Sequence, residues 1–304
     1  MKTKRKRKRP ISDLVFDIFL FIFFIAFTLI CIYPFYYLII NTISANDLSA
    51  NGYINFIPKK IHISNYIEVL KIKGLGNALW ISISKTVIGT FCTVLASAFL
   101  GFMFTQQKLL GRRFWYRFIV ITMYFNAGLI PMYITMKNLH LTETFWVYII
   151  PVIVQPFNII LVKTYVESIP ASLQEAAEID GAGIITVFRK IILPTSKPIL
   201  ATIAIFSAVG QWNSFNDTLI YNTNQKLFSL QYLLYCYINQ ANSLRSMINA
   251  NAGTGQNMMS LALQQTPTSI RMTVTIIALI PILCVYPIFQ RYFTKGIMIG
   301  SVKG

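Results

Sequence analysis

A short polar stretch, "EAAEIDGAG" at 175–183, lies between two long apolar runs and carries the chain's most closely spaced carboxylates. Upstream, Ser172 and Glu175 have the spacing of a capping box, in which Ser172 caps the helix and Glu175 follows three residues later. Gly181 is the residue type that most easily adopts the left-handed turn after a helix. The pattern predicts a helix of about eight residues, roughly 12 Å long and too short to cross a bilayer. A second helix is predicted over about 184–192.

These carboxylates are candidates for recognition by another protein rather than for catalysis. A membrane enzyme needs, for example, a Ser/His pair, paired aspartates in helices or an H-E-x-x-H helix, and none of these is present. His62 and His140 are far apart, the four cysteines lack paired spacing, and no G-x-x-x-x-G-K-[ST] loop for ATP occurs. The sequence predicts no catalytic residue, no metal site and no cofactor in this chain.

The elements that must position the polar stretch are transmembrane helices. Of the 304 residues, 55% are hydrophobic and 12% are charged, and the mean hydropathy is +0.57. Apolar runs of about 20 residues recur along the chain, as in a polytopic all-α membrane protein. Six spans are predicted, near 14–40, 78–104, 114–136, 145–166, 195–215 and 271–293.

Basic residues predict the orientation of these spans. Seven of the 27 basic residues lie in the opening "MKTKRKRKR", part of a basic arm over 1–13. The positive-inside rule assigns this arm to the cytoplasm, so the net charge of +17 does not require a nucleic-acid partner. With the N-terminus inside, more than half of the basic residues fall on cytoplasmic segments and the C-terminus is also inside. The segment 167–194 then faces the cytoplasm, and 216–270 forms a long outer loop.

No ionisable residue is predicted at the middle of a span. Asp17 and Asp217 lie near span ends, and four basic residues are expected to extend toward the interface from helix ends. They are Lys85, Arg117, Lys163 and Arg271. Because proton- and sodium-driven transporters usually need ionisable groups deep in their helices, energy for any uphill transport must enter from another chain.

The polar stretch resembles the EAA signature of ABC-importer permeases of the maltose-type carbohydrate branch. The matching residues are Glu175, Ala176, Ala177, Asp180, Gly181, Ala182, Ile191, Leu193 and Pro194. Three further segments, 123–151, 210–221 and 286–304, resemble the LplC/YtcP group of permeases for polysaccharide-derived sugars. The resemblance covers nearly the whole chain.

The resemblance implies a type I ABC importer permease fold, a single permease domain over 14–304 with six transmembrane helices and cytoplasmic termini. It implies that the EAA helix is a coupling helix docking into an ATP-binding subunit through Glu175, Ala176, Ala177, Asp180, Gly181, Ala182, Leu193 and Pro194. The implied partners are a second homologous permease, a dimer of ATPase subunits that hold ATP and Mg, and an extracellular sugar-binding lipoprotein. The implied substrate is an oligosaccharide, and the implied location is the bacterial cell membrane.

Polar residues in or near the spans are candidates for the substrate pathway, because amides, carboxylates and aromatic faces recognise sugars. They are Asn126, Gln155, Asn158, Gln211, Trp212, Asn213, Asn216 and Asp217. Hydrogen bonding between helices is the alternative role for each of them. A stripe of small residues on the second span, Gly89, Thr93, Ser97 and Gly101, suits close helix packing, either within the chain or against the partner permease.

Two other functions stay open on the sequence. The same architecture could import a solute that is not a sugar. A membrane scaffold or sensor could also keep the fold without transporting anything.

Overall fold

The computed structural model describes residues 11–239 and 267–296, and every regular element in this part of the chain is helical. This confirms the all-α prediction for the described residues. Outside the described residues lie most of the predicted basic arm, residues 240–266 of the predicted outer loop and the end of the tail with Lys303.

The helices are numbered here in chain order. They are α1 Ile11–Thr42, α2 Asn46–Ala50, α3 Ser64–Leu70, α4 Leu75–Met103, α5 Arg112–Thr122, α6 Leu129–Asn138, α7 Pro156–Glu167, α8 Ser172–Ile179, α9 Ile184–Val187, α10 Leu193–Thr195, α11 Lys197–Asn213, α12 Asn216–Tyr221, α13 230–239 and α14 Pro267–Gly296. Short 3₁₀ turns cover Phe145–Tyr148, Ile150–Val152 and Gln225–Leu227, and a π-helical turn covers Phe188–Ile192. The helix α13 lies inside the segment 216–270 that was predicted as a long outer loop.

The described residues form two compact units. One holds residues 11–69 and 267–276, and the other holds 70–239 and 277–296. In the first unit, the end of α1 is tied to the segment after it by buried amides. Asn41 donates to the carbonyl of Ile54 at 3.1 Å, and Asn65 donates to the carbonyl of Thr42 at 2.8 Å.

The core of the second unit lies where α4 packs on α7 and α11. Phe102 of α4 stacks on Phe188, with ring centroids 5.4 Å apart, and Phe99 meets the same ring edge-on at 5.5 Å. The buried cluster around these rings is Ala98, Phe102, Val162, Val166, Val187, Phe188, Ile192 and Ile203. In the predicted coupling segment, residues 172–192, the second half surrounds Phe188 and is therefore part of the hydrophobic core.

The small-residue stripe on α4 packs within the chain. A Cβ atom added at Gly89 would stand 2.6 Å from Nε2 of Gln211, and one added at Gly101 would stand 2.6 Å from Cβ of Val162. The Thr93 hydroxyl donates to the carbonyl of Val152 at 3.1 Å. The intrachain role of the stripe is thus confirmed.

The predicted spans differ in continuity from the observed helices. Within the described residues, two helices, Ser12–Thr42 and Leu75–Met103, are long and apolar enough to cross a membrane. Two further spans are counted if bent pairs are joined, Phe145–Val152 with Pro156–Glu167 at 47° and Ile184–Thr195 with Lys197–Asn213 at 78°. Local apolar composition finds such segments but carries no information about bends between them.

The continuous span predicted over 114–136 is wrong. The helix α5 ends at Thr122, and α6 begins only at Leu129. Between them, the backbone N–H of Gly128 donates to Oδ1 of Asn126 at 2.9 Å, and Gly128 has a φ of +85°. This Asx-type turn and the positive φ of Gly128 keep α5 and α6 from joining and define where α6 begins, although the segment is apolar on average.

We expect Gly101→Ala to destabilise the protein by about 1–3 kcal/mol, because the new methyl group would overlap Val162 and the backbone carbonyl of Ile159. Gly76→Ala is the matched control on the same helix, since a Cβ there meets nothing within 4 Å. Thermal unfolding of the purified protein in detergent measures both effects. Equal melting temperatures for Gly101→Ala and wild type would contradict the packing described for α4 and α7.

Candidate functional site

The helix α8 of the predicted coupling segment begins one residue earlier than a Ser172 cap allows. Ala171 occupies the cap position, and its carbonyl accepts from the N–H of Glu175 at 3.0 Å. No side chain caps this helix, so the predicted capping box is wrong. The reason is that Pro170 has a fixed φ and its carbonyl already accepts from Leu173, so Ala171 is helical and Ser172 lies inside the first turn. Glu175 is exposed on this helix.

The end of α8 is a Schellman motif, which confirms Gly181 as the stop. Gly181 has a φ of +79°. Its N–H donates to the carbonyl of Glu178 at 3.1 Å, and the N–H of Ala182 donates to the carbonyl of Ala177 at 2.9 Å. These two bonds satisfy helix-end carbonyls and define the turn into α9.

The predicted coupling segment has one anchored half and one exposed half. Val187, Phe188 and Ile192 are buried in the core of the second unit. In α8, by contrast, Ile179 is 86% exposed and Leu173 is also exposed. Large apolar side chains held outward on a rigid support are typical of a surface that another protein covers.

Two contacts fix α8 against the segment that follows α4. Nζ of Lys108 lies 2.8 Å from Oε2 of Glu178, and Nε2 of Gln106 donates to Oε1 of Gln174 at 3.3 Å. The Lys108–Glu178 pair is exposed, so it contributes little to stability and serves mainly to orient the helix. The sequence did not predict these partners, because about 70 residues separate them along the chain.

The candidates for the substrate pathway fall into two groups, buried side chains and exposed ones. Gln211 is buried and donates to the carbonyl of Tyr148 at 2.9 Å, and the buried Trp212 donates through Nε1 to the carbonyl of Ala278 at 3.0 Å. Asn158 is also buried, whereas Gln155 is half-buried at the start of α7. These bonds match the alternative role of hydrogen bonding between helices.

The exposed candidates are Asn126, in the turn before α6, and Asn213 and Asn216. Asn213 is the last residue of α11 and Asn216 is the first of α12. The structure thus brings two exposed amides to one helix break. Contact of any of these residues with a substrate stays a prediction.

Lys85 does not extend to the interface, contrary to the prediction. Its side chain is 0% exposed, and Nζ lies 3.0 Å from Oδ2 of Asp217 and 2.8 Å from the carbonyl of Ser214. The ammonium group also lies over the ring of Tyr148, 5.0 Å from its centroid. The prediction failed because Lys85 lies about 15 Å along a helix that begins at Leu75, too far for the side chain to reach the helix end.

Hydroxyl groups extend the polar cluster around Lys85 toward residues 225–230. The Tyr148 hydroxyl donates to the carbonyl of Leu227 at 2.6 Å and lies 3.2 Å from Oγ1 of Thr218. The Ser82 hydroxyl accepts from the N–H of Leu230 at 2.8 Å. The cluster therefore joins α4, α12 and residues 225–230 through buried and partly buried hydrogen bonds.

Glu143 binds Thr223 and Asn224, the residues just before 225–230. Its carboxylate accepts from the N–H of Thr223 at 2.7 Å, from the Thr223 hydroxyl at 2.8 Å and from the N–H of Asn224 at 3.1 Å. The hydrogen bond from the Thr223 backbone, followed by the one from its hydroxyl, lowers the pKa of Glu143 below its ordinary value. Glu143 is not recognisable from the sequence, because its neighbouring residues give no indication of partners 80 positions away.

No family model matches the chain. The chain is 32% identical to the polygalacturonan/rhamnogalacturonan transport system permease protein YtcP of Bacillus subtilis, over 95% of this chain and 99% of that protein. It is 34% identical to the protein LplC of the same organism, over 95% of each chain. It is 28% identical to the arabinooligosaccharides transport system permease protein AraQ of Halalkalibacterium halodurans, over 99% of this chain and 100% of that protein.

A solved structure also resembles the chain. It is the crystal structure of a bacterial ABC transporter involved in the import of the acidic polysaccharide alginate. The match has a TM-score of 0.81 and 28% identity, and it covers 96% of this chain and 100% of that one.

We expect Lys85→Met to destabilise the protein by about 3 kcal/mol, because it leaves the Asp217 carboxylate unpaired beside an apolar side chain. This loss is at the lower end of the range found when one partner of a buried ion pair is removed, since the side chain of Asp217 is still 17% exposed. The double variant Lys85→Met/Asp217→Leu is expected to recover much of the loss. Thermal unfolding of both variants and of Asp217→Leu alone gives the interaction free energy between Lys85 and Asp217. Additive losses of stability in the two single variants would contradict a buried ion pair.

We expect the stabilisation from Glu143 to depend on pH. Because its pKa is lower in the folded protein than the ordinary value of 4.5, ionised Glu143 stabilises the fold above that value. The contribution disappears as the pH falls through the folded-state pKa. The difference in melting temperature between wild type and Glu143→Ala should be present at about pH 7 and shrink below about pH 4. An equal difference at both pH values would rule out this role of the carboxylate.

Proposed function

The chain belongs to the permease subunits of ABC carbohydrate importers, and we propose that it carries a polysaccharide-derived oligosaccharide across the cell membrane of a bacterium. The observation that supports this proposal is similarity over nearly the full length to such permeases. YtcP is named for polygalacturonan and rhamnogalacturonan, AraQ for arabinooligosaccharides, and the similar solved structure for alginate. The shared chemistry is an oligomeric or polymeric sugar, and galacturonan and alginate are acidic. Acidic oligosaccharides are therefore the first substrates to test.

The proposed topology has six transmembrane spans with both termini in the cytoplasm. The positively charged opening segment supports an inside N-terminus. The bent pairs supply two of the spans, and α5 with α6 supplies another as a broken helix. Broken helices are tolerated in membranes where other protein groups or a cavity satisfy the backbone.

We further propose that the exposed face of α8 docks into an ATP-binding partner. Glu175 would offer its carboxylate to a basic group of that partner, and the small faces of Ala176 and Ala177 would permit close approach. Of the two alanines, Ala176 is exposed, whereas Ala177 is half-buried and packs against the core cluster around Phe188. The Schellman turn at Gly181 and the core contacts of Phe188 support this proposal, because they connect α8 rigidly to α4. Movement of the partner would then be transmitted to the spans instead of being absorbed in a flexible loop.

The proposed complex contains this chain, a second homologous permease, an ATPase dimer that holds ATP and Mg, and an extracellular sugar-binding lipoprotein. One chain of this size is too small to enclose an oligosaccharide path. Asn213 and Asn216 are the proposed substrate contacts, since both are exposed at one break between helices.

We expect Glu175→Ala and Gly181→Leu to reduce ATP-dependent uptake by about tenfold or more, the former through loss of a charge-assisted bond and the latter through backbone strain. Uptake is measured in the co-expressed complex with labelled oligosaccharides of galacturonate and of arabinose. Glu167→Ala is the matched control, since it removes another exposed carboxylate, just before the coupling segment.

Pull-down of the ATPase accompanies each measurement of uptake. Loss of uptake with an inserted and folded permease supports coupling through α8. Uptake at the wild-type rate by both variants would contradict it. Uptake of neither sugar by the wild type, with uptake of another solute, would contradict the proposed substrate class.

A further inference from the structure

The break between α11 and α12 leaves backbone groups without helical partners. The helix α11 ends at Asn213, Ser214 is extended with a ψ of 124°, and α12 starts at Asn216. Carbonyls at the end of a helix need other donors, and within a membrane protein other protein groups must supply them. Lys85 supplies one of them through its bond to the carbonyl of Ser214.

Lys85 contacts both sides of this break. On the α11 side it binds the carbonyl of Ser214, and on the α12 side it binds Oδ2 of Asp217. The other carboxylate oxygen of Asp217 accepts from the N–H of Thr218 at 2.9 Å, which joins the carboxylate to the first turn of α12. One ammonium group therefore sets the relative position of the two helix ends.

A ring stack restrains the break from another side. Phe215, the residue between Ser214 and α12, stacks on Tyr235 of α13 with ring centroids 4.8 Å apart. The Tyr148 ring covers the ammonium of Lys85. These contacts leave Lys85 0% exposed, so its ammonium cannot bind a passing sugar directly.

We propose that Lys85 is a positioning residue for the sugar pathway, which acts by holding the exposed amides of Asn213 and Asn216 in one fixed arrangement. This inference rests on the proposed function. The two amides flank the break that Lys85 spans, and amide groups can donate to and accept from sugar hydroxyls. A fixed pair of amides binds a sugar with a smaller loss of conformational entropy than a mobile pair.

The test separates this positioning role from a contribution to stability. The double variant Lys85→Met/Asp217→Leu leaves no unpaired charge, and it is compared with wild type in the permease–ATPase complex in nanodiscs, without the sugar-binding lipoprotein. Direct binding is measured by calorimetry with the galacturonate and arabinose oligosaccharides of the uptake experiment. The matched control Lys163→Met/Glu167→Leu removes a partly exposed i,i+4 ion pair of α7 and is expected to bind as wild type does.

We expect the double variant to bind the transported sugar about tenfold more weakly, the effect of one lost hydrogen bond. Asn213→Ala should weaken binding by a similar factor in the native background but by less than about twofold in the double variant. Such non-additivity is expected when Lys85 acts through the amide, and a general loss of stability would not produce it.

Wild-type affinity in the double variant, or an equal effect of Asn213→Ala in both backgrounds, would overturn the positioning role while leaving the proposed function intact. Uptake of neither oligosaccharide by the wild type, with uptake of a solute that is not a sugar, would overturn both. If the double variant does not assemble with the ATPase, the uncharged polar variant Lys85→Gln/Asp217→Asn replaces it. Its sugar affinity, with and without Asn213→Ala, is then judged by the same two outcomes.

Discussion

A helix that breaks inside a membrane protein must have its backbone groups satisfied by other protein groups, and this requirement governs the second unit of the structure. Lys85 meets it at the break between α11 and α12, where it binds the carbonyl of Ser214 and the carboxylate of Asp217. Burying an ammonium group is costly unless it is paired and hydrogen-bonded. The pairing explains why a lysine can lie in the middle of α4, and why the surrounding hydroxyl and aromatic groups converge on it.

The second unit also holds the predicted coupling segment, through contacts with α4. Phe188 packs between the rings of Phe99 and Phe102 on α4, while α8 projects its carboxylates and apolar side chains outward. The helix α4 therefore connects the polar cluster around Lys85 to the region proposed to meet the ATPase. A rigid connection of this kind suits a permease, because motion delivered at one place must be transmitted to the spans.

The coupling segment was largely predictable because its signals are local. The position of Gly181, the length of α8 and the second helix all follow from residues within a few positions of one another. The cap was wrong because Pro170 starts the helical turn one residue early, a steric effect that competes with the preference of Ser172 for the cap position. The break in 114–136 was missed for a similar reason, since average hydropathy does not weigh the turn formed by Asn126 and Gly128.

The sequence by itself determined the all-helical membrane class and the position of the short helix α8, and its likeness to known permeases pointed to the family. Hydropathy, glycine placement and a contiguous motif depend only on neighbouring residues. The tertiary structure alone decided that Lys85 pairs with Asp217, that Glu143 holds Thr223, and that Gln211 packs on Gly89. Each of these contacts joins residues that lie 80 or more positions apart, so their chemistry becomes visible only when the helices pack.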